Sequence, residues 1–140
     1  MKAKIRGFKV FRRIFGFHGF FESLKTAVLG IAYLFLYHRN MRIIFLSGIA
    51  AFLLGVYFKL KGIELVALCI TITLVFMAEM FNTAIEMVID MSTRKYHTLI
   101  KLVKDISAAV VLIASLNAVA VGIVLFGKRI FLVLAGLYSN

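Results

Sequence analysis

The sequence contains no proline, one cysteine and only six acidic residues. Without proline, no residue forces a kink or a break into a long helix. The single cysteine, Cys69, lies inside an apolar segment. That excludes a disulfide framework and a cysteine-based metal site, and the residue reads as core or lipid-facing packing. The acids are outnumbered by 17 Lys and Arg, for a net charge of +11. Most of the rest is hydrocarbon. Of 140 residues, 63% are hydrophobic and the mean hydropathy is +1.02, more than a soluble domain of this size keeps in solution. The chain therefore reads as an all-α integral membrane protein. Its positive charge suits anionic headgroups or phosphates rather than nucleic acid.

A membrane-crossing helix needs roughly 20 apolar residues, and three segments pass that test: 43–58, 65–91 and 106–126. The first is short, but Arg42 and Lys59 at its ends can snorkel to the interface. Residues 26–37 are uncharged but too few to cross, and they follow the basic, Phe-rich stretch "KIRGFKVFRRIFGFHGFFESLK". Region 1–42 is thus expected to form an amphipathic surface helix, with Lys and Arg toward the headgroups and Phe and Leu in the acyl boundary. No short apolar block with a small-residue cleavage site marks a signal peptide. The tail after Arg129 is expected to rest at the interface. No repeat or linker appears, and 1–140 reads as one membrane-embedded domain.

Nine basic residues precede the first span and four lie between the second and third, whereas Lys59 and Lys61 join the first two spans and Lys128 and Arg129 follow the third. The positive-inside rule then puts the amino terminus and the 92–105 loop on the cytoplasmic side.

Against this background "AEMFNTAIEMVID" (78–90) stands out, because it sets acids into the second span. Glu79, Asn82, Glu86 and Asp90 follow at spacings of three, four and four, so on a helix they share one narrow stripe. Polar contacts between packed helices would account for one Asn or Thr. Two intramembrane glutamates cost several kcal/mol unless protonated, paired or bound to a cation, and such groups are functional by default. Paired carboxylates opening toward the cytoplasm suit holding a divalent cation and taking a proton from the hydroxyl of a membrane-embedded alcohol. The next segment, "STRKYHTLIKLVKDISAAVVL", brings Lys95, His97, Lys104 and Asp105 to the membrane surface. Its cations suit nucleotide phosphates and Asp105 suits an amino or hydroxyl donor.

"EMFNTAIEMVID" followed by "KDISAAVVL" resembles the signature of the prokaryotic diacylglycerol kinase and undecaprenol kinase family. The similarity extends over about 20–126, and "HRNMRI" at 38–43 is similar to the undecaprenol kinase branch. The resemblance implies a homotrimer of three-span subunits in the bacterial cytoplasmic membrane, phosphorylating a lipid hydroxyl from MgATP. Undecaprenol is the first choice of lipid and diacylglycerol the second. By the same resemblance Glu79 is the general base and Glu86 a metal ligand, and Asn82, Asp90 and Ala108 support the site. Lys95, Tyr96, His97, Lys104 and Asp105 then lie near ATP.

Where the family places a second metal-binding glutamate, just before Arg-Asn, this chain has His38, and no acid occurs between Glu22 and Glu64. Imidazole suits Zn²⁺ and other transition metals better than Mg²⁺, so Mn²⁺ or Zn²⁺ join Mg²⁺ as expected cofactors. A kinase-derived binding protein and a small ion-coupled membrane protein are the competing readings. "GIVLFGKR" (122–129) matches most of a Walker A loop but has Arg129 where the loop needs a hydroxyl. Ala51 and Gly55, at small-xxx-small spacing, read as a helix-packing face.

Overall fold

The computed structural model describes residues 19–92 and 98–136. Four helices account for nearly all of them: α1 (Gly19–Tyr37), α2 (Arg39–Tyr57), α3 (Ile63–Ser92) and α4 (Thr98–Leu134). Among the described residues there is no strand. The chain divides into two compact units, the first ending at His38 and the second beginning at Arg39.

The first unit contributes α1. Its 19 residues are long and apolar enough to cross a membrane, so four helices meet that criterion where the sequence pointed to three. The uncharged stretch 26–37 is only part of the helix, which begins at Gly19 and runs through Glu22 and Lys25. At about 1.5 Å per residue it reaches about 28 Å. Thr26 Oγ1 donates to the Glu22 carbonyl at 2.7 Å, so its hydroxyl makes no demand on its surroundings. Of the region expected to be amphipathic, 1–42, residues 1–18 lie outside the described residues.

In the second unit α3 is central and packs on both α2 and α4. The α2 and α3 axes run antiparallel, with Gly48 against Ile72 and Gly55 against Leu68. A Cβ on Gly55 would lie 2.7 Å from Leu68 Cδ2, and one on Gly48 would lie 2.9 Å from Ile72 Cγ2. These glycines therefore set how closely the two helices approach. Ala51 packs partly buried against the same core, so the small-residue face expected from sequence does lie in a helix contact.

The end of α2 is a Schellman motif. Leu60 N–H donates to the Gly55 carbonyl at 2.9 Å, and Lys59 N–H donates to the Val56 carbonyl at 3.0 Å. Lys59 takes the left-handed position with φ 55°, and Leu60 folds back over Gly55. Phe58, Leu60, Leu68, Leu125 and Phe126 form the buried core at this end, with the Phe58 and Phe126 rings 6.0 Å apart. In lipid such a core holds through van der Waals fit, because the surrounding tails are as apolar as the side chains.

The α4 helix continues without a break to Leu134 and closes at Gly136, whose φ is 68°. Residues 130–134, the start of the tail expected to rest at the interface, are thus the last turns of one helix about 55 Å long. With no proline, nothing interrupts it.

Candidate active site

The intramembrane acids stand on α3, a single 30-residue helix, so their spacing becomes one physical face. Burial is graded along it. Glu79 is 4% exposed, Asn82 and Glu86 are half-buried and Asp90 is exposed. The stripe therefore opens toward the carboxyl-terminal end of α3. Thr83, 3% exposed, lies beside Glu79. Among the described residues no buried side-chain nitrogen or oxygen lacks a partner, as burial away from water requires.

The first turns of α4 cover the stripe. Ser107, 4% exposed, places its hydroxyl 2.7 Å from Asn82 Oδ1 and 2.9 Å from the Lys104 carbonyl. With Oδ1 facing a hydroxyl donor, the amide of Asn82 is oriented by α4. One turn earlier, Lys104 Nζ lies 3.8 Å from Glu86 Oε1. These two contacts, with residue numbers rising on one helix as they fall on the other, fix the antiparallel register of α3 and α4 at the site. Asp105 and Ala108 follow on α4 and are exposed.

Of the residues expected from sequence, Glu79, Asn82, Glu86 and Lys104 are brought together. Lys95, Tyr96 and His97 lie outside the described residues. His38 closes the first unit, where its backbone N–H donates to the Leu34 carbonyl at 2.9 Å and its ring lies 6.2 Å from Tyr33. Among the described residues no three His, Cys, Asp or Glu side chains gather around a metal position.

The sequence reading passed over Ser107 and Thr83. Each is a small hydroxyl residue in an apolar run, and the one signal for Ser107 is its place three residues after Lys104. It also passed over a second cross-link at the far end of the same helices. Arg129 Nη2 lies 3.0 and 2.9 Å from the two carboxylate oxygens of Glu64, while Nη1 donates to the Leu125 carbonyl. The residue that spoils the Walker-like pattern therefore ties α4 to the start of α3.

The prokaryotic diacylglycerol kinase family matches residues 25–126. A diacylglycerol kinase of Synechocystis sp. is 38% identical over 101 residues, 71% of this chain and 58% of that protein. An undecaprenol kinase of Bacillus subtilis is 31% identical over 107 residues, 76% of this chain and 87% of that protein. The chain thus spans little more than half the length of the Synechocystis relative. The match takes in α1 from Lys25 onward, α2, α3 and α4 as far as Phe126, including Glu79, Asn82, Glu86, Lys104 and Ser107. The chain belongs to the prokaryotic diacylglycerol kinase family.

Proposed function

We propose that the protein is an integral-membrane kinase that transfers the γ-phosphoryl group of ATP to a lipid alcohol at the cytoplasmic face. The observation that carries the reading is the buried Glu79 at the closed end of a stripe that α4 holds in register through Asn82–Ser107 and Glu86–Lys104. The Glu79 carboxylate takes the proton of the lipid hydroxyl as its oxygen forms the new bond to the γ-phosphorus, and the bond to the β,γ-bridging oxygen breaks to release ADP. Burial of Glu79 keeps water, the competing nucleophile, away from this step.

Nucleotide phosphates sit toward the open end of the stripe, where Lys104 supplies donors; the family resemblance alone adds Lys95, Tyr96, His97 and Asp105 as contacts of the nucleotide. The donor set there fits a hard divalent cation. Glu86 offers carboxylate oxygen, and Mg²⁺ takes one or two protein carboxylates and completes its shell with phosphates and water. That economy suits a chain in which no three-ligand cluster gathers among the described residues. Glu86 would hold the ion, which when bound would neutralise charge on the phosphates; the family resemblance alone adds His38, at the position of a second carboxylate. Asn82, Asp90 and Ala108 support the site, and a homotrimer is the assembly the family resemblance implies.

Undecaprenol is the first lipid to test and diacylglycerol the second, the two substrates carried in the relatives' names. Purified protein in micelles, incubated with γ-labelled ATP and a panel of lipid alcohols, is expected to move label into at least one lipid. No transfer to any alcohol at any divalent metal would overturn the proposal. ATP-independent ion flux in vesicles would replace it with an ion-coupled role.

A further inference from the structure

An apolar groove of about 450 Å³ runs over α3 between α2 and α4, within the size range of small-ligand pockets. Its floor includes Thr71 and Val75. These two and Glu79 stand at i, i+4 and i+8, so the floor continues the face that carries the buried carboxylate. Its walls are cut back by small residues: Gly48 and Ala51 on α2, and Ser115, Ala118 and Gly122 on α4.

We infer that this groove receives the hydrocarbon tail of the lipid alcohol whose hydroxyl reaches Glu79. The inference rests on the kinase reading above. Three observations choose this occupant. First, the lining of the groove extends to Val75, which precedes Glu79 by one turn, about 6 Å, on the same face of α3. Second, two of its three hydroxyls, those of Thr71 and Ser47, are already committed. Thr71 donates to the Ala67 carbonyl at 2.8 Å and Ser47 to the Ile43 carbonyl at 2.9 Å, so these two ask for no polar partner. Third, the end away from Glu79 is bounded by Leu68 and Phe126, both part of the buried core. A helix of a second copy, about 10 Å across, needs a channel that continues along its length, whereas a chain end fits a channel that stops. Leu68 precedes Glu79 by 11 residues, which leaves about 16 Å of tail before that wall.

Gly122 is the place to fill the groove, because a Cβ added there meets nothing within 4 Å. Gly122→Leu should fold as the parent does and take up tail space. Its KM for a long-chain lipid alcohol should rise about tenfold, the loss of roughly two buried methylenes. The KM for ATP and for a short-chain water-dispersible glycerolipid should stay within twofold. Ala120→Leu, on the exposed part of α4, should change neither. A direct measurement needs no turnover. A long-chain alcohol carrying a diazirine near its methyl end, photolysed on the protein in micelles without ATP, should label segments 44–51, 68–75 and 115–122. Unlabelled substrate alcohol should compete, phospholipid should not, and Gly122→Leu should abolish the labelling.

Active enzyme with labelling elsewhere, labelling displaced equally by phospholipid, or equal KM effects on long and short chains would each overturn the tail site while leaving the kinase reading intact. Disulfide-linked dimers formed through Gly122→Cys in a Cys69→Ala background would assign the groove to a second copy and also overturn it. Competed labelling without phosphorylation of any alcohol would overturn the kinase reading and with it the assignment of the tail to a substrate.

Discussion

Glu79 is enclosed while Glu86, seven residues on, is half open, and the difference sorts their proposed roles. An enclosed carboxylate suits a proton transfer from which water is excluded, and an accessible one suits a hydrated cation that arrives with the nucleotide. Glu79→Gln keeps shape and hydrogen-bonding capacity but cannot take the hydroxyl proton, so turnover should fall by roughly 10² to 10⁴ while ATP binding, measured by equilibrium dialysis, persists. Turnover equal to the parent's would remove Glu79 from the chemistry. Lys104 sits more than half exposed and 3.8 Å from Glu86, within reach of phosphate oxygens held beside that carboxylate. Lys104→Ala should raise the KM for ATP by roughly 10- to 100-fold, the worth of a charge-assisted contact, with the KM for lipid nearly unchanged. By the family resemblance, His38 stands where a second metal-binding glutamate is expected. His38→Glu restores a hard oxygen ligand and a negative charge, and the variant should reach half-maximal rate at a lower Mg²⁺ concentration. Superimposable Mg²⁺ titrations of the parent and His38→Glu at one pH would take His38 away from the metal.

Helix contacts in this protein are set by side chains that are missing. At Gly48 and Gly55 the opposing atoms of Ile72 and Leu68 stand closer than an added Cβ tolerates, and Ile72 is the stiffer neighbour because it branches at Cβ. Gly48→Leu should therefore lower the thermal midpoint in micelles, by an overpacking cost of about 1–3 kcal/mol, whereas Gly122→Leu should leave it unchanged. Equal melting curves for the two variants would mean that α2 and α3 are not held in this register. The ends of the α3–α4 pair are pinned by different chemistry, Glu64–Arg129 at one and Asn82–Ser107 with Glu86–Lys104 at the other. Arg129 lies outside the residues that match the family, 25–126.

Four helices of spanning length pose a question of parity for the whole molecule. If α1 crosses, the basic residues before Gly19 face the side opposite Lys101 and Lys104. If it lies along the surface, all of them share one side, as the positive-inside rule favours. In a Cys69→Ala background, Lys61→Cys in the α2–α3 turn should react with an impermeant maleimide added outside intact cells, and Thr98→Cys should be protected. Gly19→Cys should also be protected. Reaction of Gly19→Cys from outside would show that α1 spans, and would reverse the orientation proposed for the amino terminus.

The amino-acid sequence by itself determined the solvent, the helix class and the stripe. Hydrophobic length selects lipid, absent proline permits unbroken helices, and a three-four-four spacing puts Glu79, Asn82, Glu86 and Asp90 on one face wherever that helix packs. These are local properties, set by composition and by the 3.6-residue turn. Family membership was legible for a related reason, since its signature lies within that stripe and the opening of α4. That α1 extends back past Thr26 was not legible, because counting only uncharged residues stops there while the helix continues through Glu22 and Lys25. Tertiary structure alone decided which stripe residues are enclosed, that Ser107 meets Asn82, that Arg129 reaches Glu64 across 65 positions, and that small residues on α2 and α4 leave a groove over α3 that ends one turn short of Glu79. Each depends on the register between two antiparallel helices, and register comes from the fit of facing side chains, which no spacing along a single helix contains.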